Sequence, residues 1–309
     1  MRWQKLGIVY RPDASTAWAR THAMVPTPLR ISDELIRVFI TSLNANGVGR
    51  PGYVDVDARD PLRVVKVAQH PLLEVGHAGC FDDNGVLVTS VVDLGGDTLF
   101  MYYAGFELCK RIRYRIFTGL ATSQDGGKTF NRVSEAPVLD RSDGELFFRG
   151  GAFVLRDDGR FRLWYVAGRD WTAVNGKQMP VYHVCHQEST DGIKWAPAGT
   201  VSIPITEPDE YGFGRPWVVK RAQTDYQMFY SIRRRSVNAY RLGYAESRNG
   251  VAWERKDHEL GLDVSTGGFD GTAIMYSAVI QAHGETYCFY NGDDFGRNGF
   301  AVARLVSNT

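Results

Sequence analysis

The sequence predicts an all-β protein, and three observations support this fold class. Glycine is frequent, with 33 residues in 309, and aromatic residues make up 12% of the chain. A hairpin motif recurs along the chain, and an aromatic-rich strand recurs with it. Many glycines and aromatics without long helical patterns indicate short strands joined by tight turns.

The recurring hairpin consists of a strand, a Ser-x-Asp/Asn-Gly turn and an aromatic residue that opens the next strand. It occurs at residues 119–130, 186–195 and 243–253. The turn residues Asp125, Asp191 and Asn249 follow one another at a period of about 60 residues, which indicates an internal repeat.

An aromatic-rich strand precedes each hairpin, and an apolar strand precedes the aromatic one. The aromatic strands lie at residues 99–105, 161–168, 226–231 and 286–292, with a weaker copy at 36–42. Four strands per repeat and five repeats predict a five-bladed β-propeller with four-stranded antiparallel blades. A two-sheet β-sandwich is the alternative.

The two ends of the chain predict how the ring closes. The last repeat has three strands, ending at residues 299–305, and lacks the outer strand of the other repeats. Residues 3–10 begin with Trp3 and resemble that missing strand. We therefore expect the N-terminal strand to complete the last blade and to remove an open sheet edge. Residues 1–309 then form a single domain.

Charge and composition exclude several classes of function. The 36 Lys and Arg against 35 Asp and Glu give a net charge of +1, which argues against a nucleic-acid partner. No stretch is apolar and long enough to span a membrane, and the first residues lack the apolar core of a secretory signal. We expect a soluble cytoplasmic protein with no membrane partner, unless a leader precedes this numbering. The oligomeric state stays open.

The cysteines and the motifs give no indication of a metal or a cofactor. Cys80, Cys109, Cys185 and Cys288 lie far apart, and no two form a Cys-x-x-Cys pair. We expect buried free thiols rather than disulfides or a zinc site. The sequence also lacks a histidine cluster and a phosphate-binding glycine loop.

Equivalent positions of the innermost strands carry acidic residues. Counting back nine residues from an apolar anchor in each innermost strand gives Asp83, Glu145, Glu210 and Asp270, and His22 in the weaker first repeat. We expect these side chains to converge on one mouth of the channel, with the four acids as catalytic candidates. Asp82 or Glu207 could replace a neighbour in this alignment. The alternative is that each acid only caps a turn.

The same mouth is predicted to bind a sugar. Carboxylates and arginines bond to sugar hydroxyls, and an aromatic ring packs against the C–H face of a sugar. The predicted binding residues are His22, Glu107, Arg149, Arg169, Trp171, Arg215, Arg233, Tyr276 and Asp293. Paired carboxylates add a chemical use, because cleaving a glycosidic bond needs one acid and a second carboxylate.

The hairpins, the strands that end at Gly105 and Gly168, and the single acid per inner strand resemble the five-bladed propeller glycoside hydrolases. That group includes arabinanases, β-xylosidases, invertases and levansucrases. The resemblance implies that Asp83 matches the second-blade Asp that tunes the site. It implies equally that Glu145 matches the third-blade Glu, which acts as general acid.

The first position of that pattern differs in this sequence. The first inner strand of the family bears an Asp as base or nucleophile, and this chain has His22 there. The Arg59-Asp60-Pro61 segment resembles an invertase motif but falls between outer strands, where a turn is the better interpretation. Either Glu210 or Asp270 takes the second role, or the hydrolytic mechanism is lost.

Three functions therefore compete. The leading one is a glycoside hydrolase or related carbohydrate-active enzyme that uses paired carboxylates in the central channel. The second is a non-catalytic propeller that binds a glycan or a nucleotide sugar, and the missing first-blade Asp favours it. The third is a protein-interaction scaffold, which does not need charged groups that face inward.

Overall fold

The computed structural model describes residues 1–306 and consists almost entirely of β-strands. The strands are β1 (Trp3–Tyr10), β2 (Thr21–Arg30), β3 (Leu35–Leu43), β4 (Gly49–Asp57), β5 (Val64–Val67), β6 (Val86–Gly95), β7 (Thr98–Leu108), β8 (Tyr114–Ser123), β9 (Asn131–Arg132), β10 (Phe148–Asp157), β11 (Arg160–Val174), β12 (Lys177–Ser189), β13 (Thr200–Ile203), β14 (Glu210–Ala222), β15 (Asp225–Arg234), β16 (Ala239–Ser247), β17 (Glu254–Arg255), β18 (Met275–Ala282), β19 (Glu285–Asn291) and β20 (Phe300–Leu305). Two 3₁₀ turns and one helical turn, α1 (Asp293–Gly296), complete the described elements. The all-β prediction is confirmed.

The strands pair as consecutive antiparallel neighbours in groups of four. Three sheets have the orders β2-β3-β4-β5, β14-β15-β16-β17 and β18-β19-β20-β1. A larger sheet holds two further groups, β6 to β9 and β10 to β13, joined by a short parallel contact between β8 and β10. Over residues 1–306 the strands thus divide among four sheets rather than two, which is compatible with a β-propeller and not with the sandwich.

The N-terminal strand lies in the last sheet. β1 pairs antiparallel with β20, and Trp3 lies opposite Leu305. The indole of Trp3 donates to the carbonyl of Leu260 at 2.9 Å and packs edge-on against Phe229. β1 therefore occupies the position farthest from β18 in that sheet.

The recurring hairpin forms the same turn three times. The hydroxyl oxygens of Ser123, Ser189 and Ser247 each accept a hydrogen bond from a glycine N–H three or four residues later, at 2.8–3.0 Å. The Asp or Asn between them accepts bonds from the following backbone N–H groups. These local bonds explain why the motif predicts the turn.

Each of these turns is tied to the preceding group of strands. Arg37 on β3 donates to the Gly126 carbonyl at 3.1 Å, Tyr102 on β7 to Gly192 at 2.7 Å, and Trp164 on β11 to Gly250 at 2.8 Å. In these three cases a polar side-chain group on the second strand of one group meets the turn after the third strand of the next. The aromatic-rich strands hold neighbouring sheets together as well as filling the core.

The core lies between sheets rather than inside one of them. The second strands carry adjacent buried aromatics, such as Tyr102 with Tyr103 and Trp164 with Tyr165. Because successive side chains of a strand point to opposite faces, both faces of such a sheet are buried. All four cysteines are free thiols, and Cys80, Cys185 and Cys288 are buried as predicted, whereas Cys109 is only half-buried.

Candidate functional site

A cavity of about 240 Å³ lies where the first strands of the five groups meet. We call β2, β6, β10, β14 and β18 the first strands. Each of them has a register shift at the same level, between Met24 and Thr27, Val88 and Ser90, Gly150 and Phe153, Gly214 and Trp217, and Met275 and Ala278. One residue inside each of these five bulges lines the cavity: Val25, Thr89, Gly151, Arg215 and Tyr276.

The bulges hold strained backbone at the cavity. Gly151 has φ of 59°, which glycine adopts freely, but Val25 and Tyr276 have φ of 54° and 56°. A positive φ is unusual for a tyrosine and more so for a β-branched valine. Backbone strain of this kind concentrates at ligand sites, where the surrounding structure holds it in place.

Arg215 forms the floor of the cavity. Its guanidinium donates to the carbonyls of Tyr276 at 2.9 Å, Pro26 at 3.1 Å and Thr89 at 3.3 Å. One side chain of β14 thus binds the backbone of β18, β2 and β6. The side chain is almost fully buried, and burial lowers the pKa of Arg215 below its ordinary value.

Arg233 on β15 forms part of the wall. Its Nε donates to the Tyr240 hydroxyl at 2.6 Å, while its Nη1 is buried without a partner in residues 1–306. The guanidinium carbon lies 5.0 Å from the Tyr240 ring centroid and 5.1 Å from that of Tyr182. The remaining wall is mostly apolar and aromatic and includes Met24, Phe106, Tyr114, Phe148, Phe213 and the exposed Phe295.

The four predicted catalytic acids occupy a different kind of position. Among the described residues that line the cavity there is no Asp or Glu. Glu145 forms a buried ion pair with Arg149 at 2.5 Å, and it also accepts bonds from the Tyr165 hydroxyl and the Gly199 N–H. Arg149 in turn donates to the carbonyls of Asp140 and Ala196.

Glu210 and Asp270 pair with the fourth strand of their own group. Arg255 of β17 binds Glu210 through both Nη atoms at 2.6 and 2.9 Å. Lys5 of β1 binds Asp270 at 2.6 Å. Since the fourth strand is the one farthest from the first strand in each sheet, these contacts direct the acids away from the cavity. The four predicted acids do not line the cavity, which corrects the prediction that they converge on one mouth of the channel. Their catalytic roles stay a prediction.

The alignment was off by one residue in the second repeat. Asp82, not Asp83, is the fully buried acid, and it accepts two bonds from Arg132 of β9 at 2.7 and 2.9 Å. Asp83 lies half-buried in the turn before β6 and accepts the Gly79 N–H at 2.9 Å. Asp82 thus matches Glu210 and Asp270 in pairing with a fourth strand.

The predicted binding residues divide into two sets. Arg215, Arg233 and Tyr276 line the cavity, whereas the other six do not. Trp171 packs behind the wall, 5.3 Å from the Phe148 ring, and Asp293 accepts the Thr272 and Ala273 N–H groups. The remaining four are engaged or exposed elsewhere: His22 contacts Thr21, Glu107 pairs with Arg115 and Arg141, Arg149 pairs with Glu145, and Arg169 is exposed.

His22 lies on β2 with a positive φ of 64°. Its pKa is lowered, first by burial and then by the nearby positive charge of Arg297. A neutral imidazole at this position does not replace the carboxylate that the resemblance implies for the first inner strand.

Three wall residues that the sequence analysis did not predict share a sequence signal. Counting back seven residues from the hairpin serines Ser123, Ser189 and Ser247 gives Ile116, Tyr182 and Tyr240. All three line the cavity. The third strands therefore contribute equivalent side chains to the wall, and the repeat could have identified them.

Among residues 1–306, one group of possible metal ligands lies outside the cavity. The ligand atoms of His77, Cys80 and Glu135 all lie within 4.8 Å of one another. The sequence predicted no metal site.

No helix within residues 1–306 is long and apolar enough to cross a membrane.

The fold is shared with glycoside hydrolases of known structure. A solved glycoside hydrolase superposes with a TM-score of 0.72 at 18% identity, over 98% of this chain and 91% of that one. A thermostable family-43 glycoside hydrolase gives 0.69 at 16% identity, over 95% and 93%. The predicted resemblance to this superfamily is confirmed, and at these identities it concerns the fold.

A closer relative comes from the sequence. No family model matches the chain. The uncharacterized protein Rv1502 of Mycobacterium tuberculosis is 30% identical over 305 residues, which are 99% of this chain and 99% of that protein. The chain belongs to the same family as this mycobacterial protein.

Proposed function

We propose that the chain is a single-domain, five-bladed β-propeller that binds a carbohydrate in the cavity between its first strands. The contacts between first strands support the ring: β2 contacts β6, β6 contacts β10, β10 contacts β14, β14 contacts β18 and β18 contacts β2. The first and last sheets also share one apolar cluster, which includes Val38 and Val54 with Phe289 and Val302. β1 then completes the fifth blade.

Binding is favoured over hydrolysis by one observation. Within residues 1–306, the wall of the cavity carries arginines, tyrosines and apolar side chains, and no carboxylate. Glycosidases of the two-carboxylate type need both acids beside the scissile bond, about 5 to 9.5 Å apart. The aromatic wall suits the C–H face of a sugar instead, and the tyrosine hydroxyls and guanidinium groups suit its hydroxyls.

Hydrolysis of a glycoside is the second candidate. The likeness to glycoside hydrolases over nearly the whole chain supports it. In that reading an acid outside the cavity wall acts on a substrate that extends beyond it, with Glu145 as the general acid implied by the family pattern.

Calorimetry with monosaccharides, oligosaccharides and uridine diphosphate glucose tests the proposal, alongside hydrolysis assays on nitrophenyl glycosides. We expect at least one sugar to bind and no glycoside to be turned over. Sustained turnover that Glu145→Gln removes would instead establish the hydrolase, and the failure of every sugar to bind would reject a carbohydrate function.

Phe295→Ala provides the site-specific arm of this experiment. Phe295 lines the cavity and is 46% exposed, so its removal should leave the fold intact. We expect sugar affinity to fall about tenfold, which is the worth of one aromatic contact. Val133→Ala, at a similarly exposed apolar residue outside the cavity, is the matched control and should change nothing.

A further inference from the structure

Arg233 is a buried charge that forms no ion pair within residues 1–306. Only 7% of the surface of Arg233 is exposed to solvent. Tyr182, Tyr211 and Tyr240 surround the guanidinium, and the charged or polarisable groups that act on it are tyrosines rather than carboxylates. Burying an unpaired charge is energetically unfavourable, so a fold retains one only where something offsets the cost.

The two neighbouring arginines show that the chain can provide partners at this point. Arg234 lies 3.8 Å from both Asp209 and Glu210. Arg235 donates to the Ala173 carbonyl and the Thr172 hydroxyl at 3.2 Å. Arg233 alone of the three lines the cavity, and its Nη1 has no hydrogen-bond partner among residues 1–306.

The local backbone makes room for this arrangement. Arg233 lies opposite Gly212 in the pairing of β14 with β15. A Cβ at Gly212 would lie 3.1 Å from the Tyr182 ring, so glycine lets that ring approach the strand and face the guanidinium. The free N–H groups of Arg233 are thereby held in a fixed place on the wall.

The charge of the cavity has one sign. The charged side chains that line it within residues 1–306 are Arg113, Arg215 and Arg233. Arg215 is committed to backbone carbonyls at the floor, and Arg113 is exposed at the rim. A concave site attracts an anion when its wall consists of aromatic rings, which exclude water, and of positively charged side chains.

We propose that the ligand of this cavity is a sugar that carries an anionic group, a carboxylate or a phosphate, and that Arg233 binds this group. A planar guanidinium with free N–H groups forms paired hydrogen bonds with either oxyanion. The cavity of about 240 Å³ is below the roughly 300–1,000 Å³ of drug-sized sites, so it suits a single sugar unit. The inference deepens the proposed function and rests on it.

Calorimetry with four probes tests the inference: glucuronate, glucose 6-phosphate, glucose and inorganic phosphate. We expect at least one anionic sugar to bind tenfold or more tightly than glucose, with an affinity that falls as salt rises. Equal affinity for neutral and anionic sugars would overturn the anionic class and leave carbohydrate binding intact. Phosphate binding without any sugar would reject the carbohydrate function and, with it, this ligand class. Failure of all four probes to bind would overturn the inference.

Two variants identify the residue. Arg233→Gln should remove the preference for the anionic sugar while the unliganded protein keeps its melting temperature or gains a few degrees, because an unpaired buried charge is gone. Arg233→Lys keeps the charge without the planar fork and should restore part of the preference. Arg235→Gln, on the adjacent residue whose N–H groups are already bonded, is the matched control. A melting temperature that falls in Arg233→Gln with the preference unchanged would assign Arg233 a purely structural role.

Discussion

In this molecule, the partners of a buried charged residue indicate whether its charge serves the stability of the fold or the binding of a ligand. Asp82, Glu145, Glu210 and Asp270 are all buried, and each has a cation within hydrogen-bond distance. Breaking such a pair leaves an uncompensated buried charge, which is why these acids are expected to matter for stability. Arg233 has the opposite character, since it is buried and faces a cavity that no Asp or Glu of the described chain lines.

Glu145→Gln should therefore destabilise the fold rather than act mainly on chemistry. The substitution leaves Arg149 buried without its carboxylate, at an expected cost of about 3 kcal/mol in the free energy of unfolding. Urea unfolding of the purified variant measures this cost.

Asp83→Asn is the matched comparison at a predicted catalytic position. Asp83 is half-buried and accepts a backbone N–H within its turn, which an amide oxygen can also do. We expect its effect on unfolding to stay within about 1 kcal/mol. Glu145→Gln with unchanged stability and abolished glycoside turnover would contradict this structural account and support the catalytic one.

The bulges of the first strands are the elements that build the site. A regular strand would direct alternate side chains to each face, whereas one extra residue redirects the backbone and releases carbonyls from the ladder. Arg215 donates hydrogen bonds to two such carbonyls, those of Thr89 and Tyr276. The cavity and its floor thus both result from the bulge that recurs in the first strands.

Gly151→Ala tests the bulge of β10. A Cβ there would lie 3.3 Å from Val166 and 3.5 Å from the Arg215 backbone, at a φ of 59°. We expect a loss of about 2 kcal/mol in the free energy of unfolding, from the positive φ and the close approach together. Weaker sugar binding should accompany it.

Gly159→Ala is the control for the dihedral angle alone. Gly159 has φ of 76° in the turn between β10 and β11, and nothing lies within 4 Å of its Cβ position. We expect a loss of about 1 kcal/mol and no change in sugar binding. Equal costs for the two substitutions would mean that the bulge of β10 tolerates a side chain, against the close packing described.

At the scale of the whole molecule, the fold was far easier to predict than the site. The hairpin turn forms through hydrogen bonds between residues close in sequence, so Ser123 and Asp125 are enough to predict it. The recurrence of the turn then indicates the order of the strands. The site depends on which distant residue meets each charge. Nothing near Glu210 in the sequence indicates Arg255, and nothing near Arg233 indicates that it lacks an acid.

Register explains the remaining differences between prediction and structure. Counting from an apolar anchor assumes that the chain takes the same path before each first strand. Glu210 lies inside β14, whereas Asp82 and Asp83 lie in a turn before β6, so the count reached Asp83 instead of Asp82. Bulges have no reliable sequence signal when a glycine is absent, as at Val25 and Tyr276. Arg215 and Tyr276 lie in first strands and Arg233 lies in a second strand, and these three predicted binding residues line the cavity.

Closure by β1 makes a further prediction about cooperativity. Trp3 is buried, and it joins β1 to Leu260 and Phe229 of the preceding group as well as pairing with Leu305. Trp3→Ala should cost about 3–5 kcal/mol in the free energy of unfolding, as large-to-small core substitutions do. Gln4→Ala, on the same strand at an exposed position, is the control and should cost less than 1 kcal/mol.

The shape of the Trp3→Ala transition is as informative as its midpoint. If the five groups of strands form one closed ring, weakening β1 destabilises all of them together. Far-UV circular dichroism and tryptophan fluorescence should then report one coincident urea transition. A ring that is open at this point would let the sheet of β18 to β20 unfold before the rest. Two separated transitions in the variant would therefore contradict a single domain closed by its N-terminal strand.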